Sequence, residues 1–158
     1  LHLLDIHEDS MILNQWSSNN CANFALGAIL QNKWIIVPDE LFLIDAPYIG
    51  KLEKLFVASG LIKEFIPLRT SKVVDMWLKK WEHILTGTNL GNFSTKDVTF
   101  DWKSNHWFVI CEDLGDKWKI QNSWGDEWGD SGYWYMKKSD FKKLFTPRRI
   151  VANKNIWV

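Results

Sequence analysis

The spacing of apolar residues changes about halfway along this 158-residue chain. From Cys21 to about Gln31, apolar side chains cover more than one helical face, which predicts a central, buried helix. Pro38 and the two acidic residues after it suit the first turn of a helix. Further helices are predicted over residues 50–59, where a glycine follows, and over residues 71–81, where apolar residues recur at helical spacing.

After residue 82 the pattern becomes typical of strands. Short segments rich in β-branched and aromatic residues alternate with Gly, Asn and Asp turns, which predicts an antiparallel sheet. We therefore expect an α+β fold in one domain spanning residues 1–158, with a mainly helical lobe over about 1–70 and a mainly β lobe over about 71–158. The predicted strands cover residues 83–88, 97–102, 106–112, 117–124, 132–137 and 149–158.

Composition excludes several classes of function. Nineteen basic residues balance nineteen acidic ones, so no overall charge favours nucleic acid or an anionic membrane. No apolar run reaches the roughly 20 residues that span a bilayer. Four scattered histidines predict no metal site, and we expect no cofactor. The two cysteines are expected to be free thiols in a reducing, cytoplasmic setting, and the protein is expected to be monomeric.

Cys21 is the first candidate for chemistry, because it lies at the start of the predicted buried helix. The positive end of the helix dipole and unpaired N–H groups stabilise a thiolate, and such positions lower the thiol pKa from about 8.5 to roughly 3.5–7.5. Asn19 or Asn20 is expected to cap this helix. The alternative is that Cys21 is a small buried core residue.

Three further polar residues favour the chemical interpretation. His106 begins an apolar strand, and Asn122, sixteen residues later, could fix the tautomer of its ring and aim the imidazole at sulfur. Trp124 could shield that hydrogen bond from water. Gln15, six positions before Cys21, and the Cys21 N–H could both donate to the oxyanion of acyl transfer.

The order of these residues resembles the papain family of cysteine peptidases. "NQWSSNNCANFA" is similar to that family's Gln-Gly-x-Cys-Gly-Ser-Cys-Trp-Ala-Phe signature, and "NHWFVI" to its Asn-His-Ala-Val segment. "IQNSWGDEWGDSGYW" is similar almost residue for residue to Lys-Asn-Ser-Trp-Gly-x-x-Trp-Gly-x-x-Gly-Tyr. The resemblance implies a two-lobed papain-like fold in a shortened, divergent member, whose substrate is a peptide or protein.

The roles that the resemblance implies are Cys21 as nucleophile, His106 as general base and then acid, Asn122 as orienter, Gln15 as oxyanion donor and Trp124 as shield. It also implies an inhibitory leader, removed before Leu1.

Neighbouring residues are expected to contact the substrate, namely Asn20, Asn105 and Trp107. Trp107 replaces the small residue that the family has after the histidine. We expect its ring to crowd the pocket for the second side chain before the cut, and so to favour a small residue there.

Two alternatives stay open. The chain could be a catalytically silent module that grips an extended peptide, because the residues around Cys21 depart from the family pattern. It could also hydrolyse amide or isopeptide bonds in a non-protein or cell-wall substrate. Basic pairs near the carboxyl end, including Arg148 and Arg149, are expected to lie on solvated faces.

Overall fold

A computed structural model describes residues 12–15, 20–46, 48–93 and 105–153. The amino-terminal half is mainly helical in these ranges, and each helix begins within a few residues of its predicted position. Among the described residues, no helix is long and apolar enough to cross a membrane. The helices are α1 (Cys21–Asn32), α2 (Asp39–Leu43), α3 (Ile49–Ala58) and α4 (Ser71–Leu78), with 3-10 turns at Leu90–Asn92 and Lys138–Lys143.

A six-stranded sheet forms the other part of the fold. Its strands pair in the order β1-β6-β2-β3-β4-β5, and every pairing is antiparallel. The prediction of an α+β fold with an antiparallel sheet is therefore confirmed. The strands are β1 (Ile62–Pro67), β2 (Ile84–Asn89), β3 (Asn105–Asp113), β4 (Lys117–Gln121), β5 (Tyr133–Lys137) and β6 (Arg148–Ala152).

Two hydrophobic cores lie against strand β3. Because successive side chains of a strand point to opposite faces, Val109 packs into the core built with α1, α2 and α3, whereas Phe108 and Ile110 pack into a second core with α4. Helix α1 lies directly on β3. This packing brings the start of the central helix next to the start of a central strand.

Helix α1 has the predicted character but a different cap. It begins at Cys21 and buries residues on more than one face. The Asn20 side chain makes no capping bond; its Nδ2 instead donates to the carbonyl oxygen of Phe42 at 3.0 Å. The prediction of an Asn20 side-chain cap is therefore wrong, and Asn19 lies outside the described residues. Asn20 joins α1 to α2.

Strand β1 is the main element that the sequence pattern did not predict. It lies within the expected helical half and pairs with β6, more than eighty positions further along the chain. The predicted helix over residues 71–81 is shorter than expected and ends at Leu78, because Trp81 adopts a left-handed backbone conformation with φ of 65°. The predicted strand at residues 97–102 and the end of the last one lie outside the described residues.

Candidate active site

His106 and Asn122 form the centre of the site. His106 is the second residue of β3, and Asn122 directly follows β4. Because β3 and β4 are neighbouring antiparallel strands, the two side chains meet although sixteen residues separate them. His106 Nε2 lies 2.6 Å from Asn122 Oδ1, and both residues are buried. The structure thus forms the predicted pair of imidazole and carboxamide.

The hydrogen bonds around Asn122 define the tautomer of His106. Asn122 Oδ1 accepts a second hydrogen bond, from the backbone N–H of Ser123 at 2.8 Å. An atom that accepts from a backbone N–H is the carboxamide oxygen, so His106 Nε2 must be the donor in the other bond. In the neutral ring Nδ1 is then the proton acceptor. This is the arrangement that a general base requires.

Trp124 covers the imidazole, as predicted. Its ring centroid lies 4.5 Å from that of His106, with the ring planes 35° apart. Trp128 packs edge-on against Trp124 at 5.2 Å. The two indoles leave the bond between His106 and Asn122 in an apolar surrounding, where a hydrogen bond is stronger than in water.

Gln15 is tied to the same loop through Ser123. The Ser123 hydroxyl donates to Gln15 Oε1 at 2.6 Å, and the Gln15 backbone N–H donates to the Ser123 carbonyl at 2.7 Å. Both side chains are buried. Because Ser123 also donates to Asn122, this one residue holds the predicted orienter of His106 and the predicted oxyanion donor.

Glycines allow the amino-terminal segment 12–15 to lie this close to the loop over residues 122–132. Gly125 and Gly132 adopt φ of 85° and 94°, a region that favours glycine. A Cβ atom on Gly125 would lie 2.9 Å from Asn14 Nδ2, and one on Gly132 would lie 2.6 Å from Cγ2 of Ile12. The Gly125 N–H also donates to the Leu13 carbonyl at 3.2 Å. The glycines of this motif therefore make room for the chain that carries Gln15.

Cys21 lies at the start of α1, beside the start of β3. Its Sγ accepts a hydrogen bond from the backbone N–H of Trp107 at 3.4 Å, and Trp107 directly follows His106. The fold thus brings the sulfur to the backbone position next to the imidazole. In the part of the chain that the structure describes, the Cys21 sulfur makes no direct hydrogen bond to the His106 ring.

Burial has the largest effect on the pKa values of the Cys21 thiol and the His106 imidazole. It raises the pKa of the Cys21 thiol, although hydrogen bonds from the backbone N–H groups of Trp107, Ala22 and Cys21 lower it. It also lowers the pKa of His106 to about 4, against the hydrogen bond with Asn122, which raises it. The expected low thiol pKa is therefore wrong for this structure, because the loss of hydration outweighs the helix terminus. At neutral pH the pair consists of a neutral thiol and a neutral imidazole.

A cavity of about 480 Å³ opens beside Cys21. The predicted substrate contacts Asn20, Asn105 and Trp107 all line it. The ring of Trp107 lies over Gly87 of β2, where an added Cβ would meet it at 2.9 Å, and packs against Phe145 at 5.3 Å. The indole therefore forms part of the cavity wall, and its expected crowding of the pocket for the second side chain before the cut stays a prediction.

Ser123 and Arg148 are site residues that the sequence pattern missed. A serine inside a motif gives no sign of a partner 108 positions away, and Arg148 was expected in solvent. Instead Arg148 lies 5.3 Å from the centre of the Trp107 ring, and Arg149 lies 3.8 Å from that of Trp77. Each guanidinium also pairs with a glutamate, so the expectation of two solvated side chains is wrong.

The remaining candidates do not join the site. Cys111 is a free thiol that donates to the Lys119 carbonyl at 3.3 Å, and burial raises its pKa to about 12. Cys21 is likewise free, so the prediction of two unpaired cysteines is confirmed. Among the residues with described positions, no group of three or more His, Cys, Asp or Glu side chains is placed to hold a metal ion.

Comparison with known proteins points to one family. Residues 95–147 match the family described as papain family cysteine protease. A search of curated proteins finds no match. Among solved structures, bromelain from Ananas comosus in complex with the E64 inhibitor is 15% identical, with a TM-score of 0.69 over 97% of this chain and 98% of the other.

Two more solved structures give the same fold. The digestive procathepsin L2 from the Tenebrio molitor larval midgut is 13% identical, with a TM-score of 0.67 over 97% of this chain and 67% of that one. A structure from a study of the mite allergens Blo t 1 and Der p 1 is 14% identical, with a TM-score of 0.65 over 97% and 70%. The predicted resemblance to papain-like cysteine peptidases and the papain-like α+β fold are confirmed. The leader, the monomeric state and the compartment stay predictions.

Proposed function

We propose that this chain, which has the fold of papain-like cysteine peptidases, hydrolyses peptide bonds with Cys21 as nucleophile and His106 as the acid and base. The observation that carries the proposal is the bond of 2.6 Å between His106 Nε2 and Asn122 Oδ1, formed one residue before the backbone N–H that contacts the Cys21 sulfur. A buried histidine with an orienting carboxamide, next to a thiol that lines a cavity, is the arrangement that thiol-dependent acyl transfer requires.

The first half of the reaction follows from the neutral resting pair. His106 Nδ1 takes the thiol proton as sulfur attacks the carbonyl carbon, and the carbonyl electrons move to oxygen. Gln15 and the Cys21 N–H donate to that oxygen. The C–N bond then breaks, His106 returns the proton to the leaving amine, and a thioester between Cys21 and the acyl group remains.

The second half releases the acyl group. His106 takes a proton from water, the resulting hydroxide attacks the thioester carbonyl, and the bond to sulfur breaks. The thiolate recovers the proton from the imidazole. Asn122 keeps Nε2 as the donor throughout, so that Nδ1 alone exchanges protons.

Matched cysteine variants test this proposal. Cys21→Ala should abolish hydrolysis of a fluorogenic peptide library, whereas Cys111→Ala should retain it, because Cys111 lies away from the site. Circular dichroism and thermal melting should show that both variants fold. Substantial hydrolysis by folded Cys21→Ala would reject Cys21 as the nucleophile.

One observation favours a silent peptide-binding module as the second candidate. A thiol whose pKa is raised by burial is a weak nucleophile at rest. Incubation with E64, the inhibitor in the bromelain complex, separates the two functions. Stoichiometric labelling at Cys21, lost in His106→Ala, supports the peptidase, whereas peptide binding without labelling or cleavage supports the module. Hydrolysis of cell-wall fragments or isopeptides alone would identify the third alternative.

A further inference from the structure

Among the described residues that line the cavity beside Cys21, one side chain is charged, and that side chain is Arg148. The remaining lining residues are apolar, aromatic or neutral. This cation supplies the positive charge at that wall of the cavity, where the surrounding protein screens a charge less than water does.

The contacts of Arg148 hold its guanidinium in a fixed position. It lies 5.3 Å from the Trp107 ring centre, its Nε lies 3.1 Å from Glu53 Oε2, and Nη1 donates to the Thr146 carbonyl at 2.8 Å. The guanidinium has five N–H groups, so three are not used in these contacts within the described part of the chain. The side chain is 21% exposed and can therefore meet a ligand.

Glu53 does not occupy the cavity. It lines a separate cavity of about 270 Å³ on which Arg148 also borders, so the guanidinium lies between the two spaces. The carboxylate of Glu53 therefore pairs with Nε of the guanidinium on the side of the smaller cavity. A ligand in the larger cavity meets the cation and not its partner.

We propose that this cavity binds an acidic side chain of the substrate, at the second residue before the scissile bond. The planar guanidinium can donate two parallel hydrogen bonds to a carboxylate, while Trp107 and Phe145 contact the methylene groups. A cavity of about 480 Å³ can hold a Glu or a Gln side chain, and these two differ in charge but hardly in size. This inference rests on the proposed function and names the substrate class of the same site.

Paired substrates measure the preference. Fluorogenic peptides that differ only in Glu, Gln or Leu at this position are compared by kcat/KM. We expect Glu to exceed Gln by about 10-fold, since a hydrogen bond to a charged group contributes more than a neutral one. Arg148→Met should bring the ratio close to one. Arg149→Met is the matched control and should keep the wild-type ratio, because Arg149 lies over Trp77, away from the cavity.

Glu53→Gln is the second variant. It provides an independent test of the inference if Arg148→Met fails to fold. It keeps a hydrogen-bond acceptor beside Arg148 but removes the competing negative charge, so the preference for Glu over Gln should rise. Equal rates for Glu and Gln peptides in the wild type would overturn the inference, as would an unchanged ratio in folded Arg148→Met.

A binding measurement separates failure of this inference from failure of the proposed function. Cys21→Ala is titrated with fluorescein-labelled Glu and Gln peptides and followed by anisotropy. If the wild type cleaves no peptide, the proposed function is rejected, and this titration still decides whether the cavity selects an acidic side chain. Tighter binding of the Glu peptide supports the inference, and equal binding overturns it.

Discussion

Replacing Ser123 by alanine removes a hydroxyl that lies 2.6 Å from Gln15 Oε1, between two buried side chains. A typical hydrogen bond contributes about 1 kcal/mol to stability, which corresponds to a decrease in melting temperature of about 2–4 °C in a domain of this size. The carboxamide of Gln15 remains but loses one of the contacts that orient it. Complete loss of an oxyanion donor costs on the order of 100–1000-fold in kcat, so we expect a smaller loss, about 10-fold, from Ser123→Ala.

The loss should fall on kcat and leave KM almost unchanged, because the oxyanion exists only along the reaction path. Steady-state kinetics on one fluorogenic peptide, together with thermal melting, measure both effects. Ser139→Ala is the matched control, since Ser139 is exposed in a 3-10 turn on the surface, and it should behave like the wild type.

A double-mutant cycle with Gln15→Ala decides whether Ser123 acts through Gln15. If Ser123 only positions that side chain, Ser123→Ala should add almost nothing in the Gln15→Ala background. A second 10-fold loss in that background would refute this reasoning, as would wild-type kcat in folded Ser123→Ala.

Three other outcomes follow from the same geometry. Burial lowers the pKa of His106 to about 4, so the imidazole stays an unprotonated base down to that pH and kcat/KM should reach half its maximum near pH 4. An inflection near pH 6.5 in the pH profile would contradict this. Gly87→Ala should reduce kcat/KM by at least about 10-fold, since its Cβ would lie 2.6 Å from the His106 carbonyl oxygen and must displace β3; unchanged kinetics with an unchanged melting temperature would count against it. Iodoacetamide at pH 7.5 should alkylate Cys21 faster than Cys111, whose pKa is raised to about 12; peptide mapping by mass spectrometry that found Cys111 modified first would reverse the assignment.

Local patterns were sufficient to predict the helices and most strands. The apolar run after Cys21 gave α1 to within a residue of its end, and the change of spacing gave β2 to β5. Strand β1 was missed because its apolar positions are interrupted by Lys63, Glu64 and Pro67, and because its partner β6 is distant in the chain. The sequence of one segment alone has no pattern that shows which distant strand it pairs with.

In the site, too, the features with a local sequence motif were predicted and those that depend on packing between distant segments were not. The asparagine, histidine and tryptophan occur in recognisable motifs, and their contacts formed as predicted. The thiol pKa could not be predicted from sequence, because the burial of Cys21 depends on how α1 packs on β3. Arg148 was misassigned for a related reason. A pair of basic residues beside a β-branched segment is usually interpreted as solvent-exposed. Only the strand register shows that Arg148 and Arg149 lie over different tryptophans.

The glycine-containing loop over residues 122–132 holds the short segment 12–15 by backbone bonds that include Gln15 N–H to the Ser123 carbonyl and Gly125 N–H to the Leu13 carbonyl. Local opening of one segment costs less free energy than unfolding of the whole domain. On warming, turnover should therefore disappear several degrees before the β-sheet melts, and cooling should restore it. Thermal inactivation in this molecule would begin as a reversible release of the oxyanion donor, well before the chain unfolds.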